Sequence, residues 1–324
     1  MTRTGALALS ALLAGAAVRS TMAAGGGGAD YFPNVLLTTQ DGKVVRFYDD
    51  LLKGKAVAIN LIYTRCSASC PVETAKLAQV QRLLGNRVGK DVFFYSISID
   101  PGRDTPEVLH AYAEKFHAGP GWLFLTGKED DIKLVSKKLG LSSVTDAANR
   151  DGHQPSLMLG HEPTGQWMRT SAVDNPRFLA TTMASFFGWT DDQPRRSYAE
   201  LREFPKIDKG EYLFRIRCLA CHTIGKGAGI GPDLAGVTTR RNPGWVARYL
   251  ADPDRLRGEG DPIATELFAR YQGVRMPNLR LPEEEVAVLL SYIERQGSAV
   301  RPCSGTEPGC DTVSEGALPV ESGR

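Results

Sequence analysis

The segment Cys218-Leu219-Ala220-Cys221-His222 constrains this chain more than any other. Two thiols one helical turn apart, followed at once by an imidazole, form the Cys-x-x-Cys-His pattern of covalent haem attachment. The spacing has a mechanical basis: both sulfurs reach vinyl groups of one porphyrin, while the adjacent His222 is carried beneath the iron as an axial ligand. The surroundings must then supply a second axial ligand. After His222 the chain contains no further histidine and a single methionine, Met276. It sits in Val274-Arg275-Met276-Pro277-Asn278-Leu279, an irregular stretch before an expected final helix, and is the expected sixth ligand. Thioether and imidazole together raise the iron's potential and favour electron transfer over oxygen chemistry. The carbonyl of Pro232 is the expected acceptor for the other His222 ring proton.

At 324 residues, 42% hydrophobic and 23% charged, the chain is too long for one ordinary domain and too apolar for a disordered one. Two domains are expected. Lys plus Arg number 39 and Asp plus Glu 37, and a net charge of +2 offers no polycationic surface for nucleic acid. Beyond the N-terminal segment no apolar run reaches the roughly 18 residues of a membrane span, which excludes a multi-span protein. Arg3, an uncharged apolar stretch over 5–18 and the small residues Ala23 and Ala24 read as a secretory signal over 1–24. Arg19 interrupts the stretch short of the roughly 20 residues that a bilayer requires. The alternative is an uncleaved anchor, and membrane association is expected only through this end. Both readings put the folded part outside the cytoplasm, in the periplasm.

A leader over 25–33 precedes a hairpin around Asp41-Gly42 and a nearly continuous apolar strand over 56–63. Helix and strand patterns then alternate: helices over 72–84, 106–116, 130–139 and 177–187, strands over 92–99 and 122–125, and a closing hairpin over 156–159 and 166–169. This is an α/β domain, 34–189. A polar linker, 190–206, leads to a second domain, 207–296, that reads as helices only, over 208–217, 243–250 and 282–295. The tail, 297–324, is dominated by Gly, Ser, Pro and Glu and is expected to be poorly ordered.

The remaining cysteines also fall into close pairs. Cys303 and Cys310, in the tail, read as a local disulfide. Cys66 and Cys70 lie in Cys66-Ser-Ala-Ser-Cys70-Pro71, where the buried strand gives way to a helix. A helix N-terminus favours thiolate, so a lowered thiol pKa is expected there. Two thiolates on one turn either oxidise to a disulfide or bind a soft metal, and copper(I) suits them best; an imidazole would complete a site able to hold copper(II) also. The candidate imidazoles are His110, His117, His153 and His161. Spacing does not choose among them.

The second domain resembles a class I cytochrome c over 207–296, through Gly210, Phe214, the haem motif, Gly231, Pro232, Leu234, Trp245, Met276-Pro277-Asn278 and Tyr292. The resemblance implies an all-α bundle around one haem c. The first domain resembles the Sco/SenC proteins through Tyr63-Thr-Arg-Cys66-Ser-Ala-Ser-Cys70-Pro71, Ser98-Ile-Asp100-Pro-Gly-Arg-Asp104-Thr-Pro106 and Leu125-Thr126-Gly127. That implies an α/β thioredoxin-like domain, a central mixed sheet with flanking helices, and one bound copper. The family's remote copper-binding histidine falls on His153, with Gly152 where an acidic residue is usual; His161, in a turn beside Glu162 and Pro163, is the rival. His110 and His117 flank a helix and read as surface or packing residues. Asp100 and Asp104 read as caps and stay outside the expected site.

The resemblance further implies a role in assembling the copper centre of cytochrome c oxidase, with an oxidase subunit or another copper-accepting client and a redox protein as partners. Three functions follow for the fused chain: a metallochaperone whose haem sets the copper oxidation state, a thiol-disulfide oxidoreductase acting through Cys66 and Cys70, or an electron carrier with a docking domain. Dithiol oxidation moves two electrons and one haem carries one, whereas the copper couple also moves one at a time. Copper handling is therefore the favoured expectation.

Overall fold

The computed structural model describes residues 28–66, 69–141, 155–189, 208–271 and 273–299. The expected signal (1–24), the expected linker (190–206), His153 and the Cys303–Cys310 pair lie outside the described residues.

The first domain is built on a mixed sheet of seven strands. β1 (Leu36–Thr39) and β2 (Val44–Arg46) form the expected hairpin, with Gly42 at φ 77° in its turn. β3 (Ala56–Ile62), β4 (Phe93–Ser98) and β5 (Trp122–Gly127) run parallel, while β6 (Ser156–His161) and β7 (Gln166–Ser171) form the closing hairpin. The order across the sheet is β2-β1-β5-β4-β3-β6-β7. β3 pairs with β4 on one side and antiparallel with β6 on the other, and all seven of its residues are buried.

That burial explains the unbroken apolar run, because both faces of the sheet are covered. Ala58 and Ile62 join an apolar cluster with α1 (Cys70–Leu84), α2 (Pro106–Lys115) and α4 (Pro176–Phe186). The alternate residues Val57, Ile59 and Leu61 join a second cluster with α3 (Glu129–Lys138) and the wide helical turn Phe47–Leu52. The turn is too short to show a helical repeat in the sequence; it packs Phe47, Tyr48, Leu51 and Leu52 against the sheet.

The second domain contains α5 (Lys209–Leu213), α6 (Val237–Arg240), α7 (Pro243–Ala251), α8 (Pro253–Gly258), α9 (Pro262–Arg270) and α10 (Glu283–Ala299). α10 continues past the expected end at Arg295. α5 leads through the turn Phe214–Cys218 into the Cys218 pair and crosses α10 at Gly210. There a Cβ would stand 2.5 Å from Cβ of Tyr292 and 2.9 Å from the Val288 carbonyl oxygen. The two helices touch only because position 210 has no side chain. α6, α8 and α9 were not expected; α7, α8 and α9 each open on an Asn or Asp whose side chain accepts backbone N–H bonds, with proline in the first turn.

Substituting Gly210→Ala overpacks the α5–α10 crossing and is expected to cost about 1–3 kcal/mol. Urea unfolding of the haem-loaded protein followed by haem absorbance should show a lower midpoint, while the fluorescence transition of the first domain stays in place.

Candidate dithiol and haem sites

Cys66 and Cys70 are both thiols, 7% and 0% exposed, and the backbone N–H of Cys70 points at Cys66 Sγ at 3.5 Å. The strand-to-helix connection that carries them is clamped by Asp104. This fully buried carboxylate accepts from Thr64 N at 3.1 Å, from Thr64 Oγ1 at 2.6 Å and from Ser98 Oγ at 2.5 Å. Asp104 is therefore a positioning residue for the loop, beyond the capping role expected from sequence. Asp100 bonds differently: its N–H donates to Ser98 Oγ and its carboxylate meets Arg103.

The expectation of a lowered thiol pKa is corrected at Cys70. Its pKa is raised, first by hydrogen bonding with the Cys66 thiol and then by burial. A helix terminus contributes roughly 0.3–1 kcal/mol to an exposed charge, and burial of an uncompensated one costs several.

Beneath α1 lies a buried polar chain that no sequence pattern announces. Trp122 Nε1 donates to Ser96 Oγ at 2.9 Å, Ser96 Oγ donates to Asn60 Oδ1 at 2.7 Å, and Asn60 Nδ2 reaches Glu73 Oε2 at 3.4 Å. Glu73 is fully buried and its Oε1 has no hydrogen-bond partner. Burial pushes its pKa up to about 8, against smaller opposing contributions from Ser69 and Asn60.

Among the described residues, no cluster of three metal-ligating side chains forms. His161 stands opposite Ala56, at the start of β3, whereas the cysteines follow its end. Seven strand residues at about 3.3 Å each separate them by roughly 20 Å, which removes His161 from the site. Its Nδ1 instead lies 2.8 Å from Thr164 Oγ1. His110 pairs with Asp41 and Glu114 on the surface, and His117 ends α2 at φ 54°.

In the second domain Cys218, Cys221, His222 and Met276 line one largely apolar cavity. Its walls include Ile230, Tyr249, Arg257, Leu267, Phe268, Tyr271 and Leu279, and also Val72 from α1 of the first domain. His222 Nδ1 lies 2.9 Å from the Pro232 carbonyl oxygen, which fixes the ring proton there and leaves Nε2 as the ligating nitrogen. Gly231 makes the fit possible, since a Cβ there would stand 2.6 Å from His222 Cε1. Burial lowers the His222 pKa, opposed by the Pro232 carbonyl and Asp233, and raises the pKa of Cys218 and of Cys221 to about 12. Neutral imidazole, two closely placed thiols and a thioether on an apolar cavity are the donor set that covalent haem requires, and the residues present fit it.

The fold and sites define an α/β dithiol protein joined to a small haem-attachment domain. Residues 27–184 match the SCO1/SenC family and residues 207–296 match the Cytochrome c family. A "SCO2-like protein" of Rickettsia felis is 36% identical over 125 residues, which is 39% of this chain and 58% of that one. "SCO2-like protein RP587" of Rickettsia prowazekii is 33% identical over 146 residues, 43% of this chain and 67% of that one. A solved SCO1/SenC family lipoprotein from Bacillus anthracis is 30% identical with a TM-score of 0.41, covering 48% of this chain and 93% of that one. The match thus spans somewhat over half the length of the first of these relatives. The chain belongs to the SCO1/SenC family, and carries a cytochrome c domain after it.

Glu73 yields a signed pH dependence. Its folded pKa of about 8 lies above the ordinary 4.5, so the folded state keeps a proton that the unfolded chain releases. Its contribution to stability is therefore complete below about pH 4.5 and is lost as pH rises to about 8. The loss is on the order of 4–5 kcal/mol at most. In copper-free protein, Glu73→Gln should abolish most of the decline in urea midpoint between pH 5 and pH 8 that the parent shows.

Proposed function

We propose that this chain is an exported metallochaperone that carries copper on Cys66, Cys70 and His153 as cargo for a copper centre of cytochrome c oxidase or another copper-accepting client. The observation that carries this reading is the pair of buried, adjacent thiols on a loop clamped by Asp104, at the start of a helix whose next turn walls the haem cavity. Two sulfur ligands suit copper(I), and an imidazole extends the site to copper(II). The chain before β6 supplies His153 in sequence. β6 enters the sheet at the end of β3 from which the cysteine loop leaves: Leu157 pairs with Asn60, and Pro155 accepts from Ala172 N at 2.9 Å. This supports His153 over His161.

Cys218, Cys221, His222 and Met276 would hold haem c, which would supply one-electron transfer. The chain's own residues set the conditions for it. Pro232 holds the proton on His222 Nδ1, Arg257 Nη1 donates to the Met276 carbonyl at 3.3 Å, and the apolar walls exclude water. The exchange matches copper in electron number.

Anaerobic titration of the haem-loaded chain with copper(I) should saturate at one equivalent. Cys70→Ser should abolish uptake and leave the haem spectrum intact; His153→Ala should weaken copper(II) retention, and His161→Ala should not. If copper is never retained while Cys66→Ser eliminates reduction of a client disulfide, thiol-disulfide exchange is the function instead.

A further inference from the structure

We propose that the Val72–Lys76–Gln79 stripe of α1 is a built-in junction that seats the thioether edge of the haem against the dithiol domain, with the Lys76 ammonium as the charge that raises the haem's reduction potential. The proposal rests on the functional reading above and adds the route and the residues that set it.

Positions 72, 76 and 79 share one helix face, because they are spaced by four and three residues. Each meets the second domain. Val72 lines the haem cavity beside Cys221. Gln79 Nε2 donates to the Leu219 carbonyl, inside the haem motif, at 2.5 Å. Lys76, 7% exposed, donates to the Val173 carbonyl and lies within electrostatic reach of Cys221 and Arg217. Burial depresses its pKa. The contact is also apolar: Ile230 is buried in the same cluster as Cys70, Ala75 and Leu77, and Ala220, Cys221 and Val274 pack against that cluster.

The opposite side of the same helix carries Cys70, one of the proposed copper ligands. Cys70, which opens α1, is joined to Val72 through Pro71 alone. The cavity wall and a metal-binding sulfur are thus two residues apart on one rigid element. The edge at Cys221, through which electrons would otherwise pass to a diffusing partner, is covered by α1. Copper held on Cys66 and Cys70 and haem held on Cys218, Cys221 and His222 would each change by one electron, so an exchange across this junction would balance as copper(II) plus ferrous haem giving copper(I) plus ferric haem. No bond forms or breaks. A cation held out of water near Cys221 would disfavour the more positive ferric form of a haem attached there, so Lys76 would bias that haem towards reduction.

The test uses the haem-loaded full chain without copper, in the parent, Lys76→Gln, Lys76→Arg and Gln79→Glu forms, each checked for an unchanged haem absorbance band and helical circular dichroism. Lys76→Gln should lower the haem potential in a spectroelectrochemical titration, and Lys76→Arg should return it towards the parent value. Gln79→Glu sets a carboxylate against the Leu219 carbonyl and should separate the domains. Its radius of gyration by X-ray scattering should rise, and its ferric haem should be reduced severalfold faster by hydroquinone, an uncharged donor. Equal potentials in the three position-76 proteins overturn the proposal. So do an unchanged radius and hydroquinone rate in Gln79→Glu. Where Lys76→Gln does not fold, Gln79→Glu decides alone. Because none of these measurements needs copper, normal copper uptake with no shifts sinks the junction and spares the function, and shifts without copper uptake do the reverse.

Discussion

β3 is the constraint on which the rest of the molecule depends. It is hydrogen-bonded on both edges and covered on both faces, so its end cannot move without disturbing two apolar clusters. The chain leaves that end at Tyr63 and reaches Cys66 within one turn, with Cys66 N donating to the Tyr63 carbonyl at 3.1 Å. Asp104 then ties Thr64 to the end of β4 through Ser98. A loop that would otherwise carry conformational entropy of about 1–2 kcal/mol per residue is fixed at its exit by a buried carboxylate, whose desolvation is offset by three donors.

α1 inherits this fixity and gives it two uses. Its inward side carries Cys70, Glu73, Thr74 and Leu77, all buried against the sheet. Its other side carries Val72, Lys76 and Gln79 against the haem domain. The buried side is strained electrostatically: Glu73 has one oxygen without a partner, beside a dithiol that is itself desolvated. Such an arrangement disfavours accumulating negative charge unless a cation enters. A metal ion on the two sulfurs would reverse that sign, which makes the cost of the empty site and the affinity of the loaded one two sides of the same burial.

Much of this was legible in the sequence, and the reasons differ by element. The haem motif and the Cys-x-x-x-Cys loop are local spacings and needed no tertiary knowledge. β3 was visible because burial on both faces leaves an apolar run, and α10 because Val286, Leu289 and Ile293 repeat at helical spacing. α6 and α8 are too short for a periodic pattern, and α9 keeps only Ala264 fully inside, so the Asp caps of α8 and α9 were their only signal and α6 left none. Glu73 and Asp104 were missed as site residues for a different reason: a lone acidic residue in a helix or connection reads as solvated, and only the fold brings Asn60, Ser98 and Thr64 to them. The thiol pKa was misjudged because the helix terminus is visible in the sequence, whereas the Cys66 hydrogen bond and the burial that outweigh it come only with the fold.

The Met276 stretch shows how an irregular segment can hold a ligand as firmly as a helix. Among the described residues between α9 and α10 no repeating hydrogen-bond ladder forms, and the stretch is held by side chains of α8 and its cap. Arg257, only 13% exposed at its side chain, donates to the Met276 carbonyl, and Asp252, which caps α8, accepts from Asn278 Nδ2 at 3.2 Å. Arg280 is held at φ 50°, outside the range a residue with a Cβ prefers, with its N–H donating to Asn278 Oδ1 at 2.9 Å. The same Arg257 and the Tyr249 ring of α7 line the cavity. Elements that left little trace in the sequence therefore fix the backbone at Met276, the residue the sequence singles out as the expected sixth ligand.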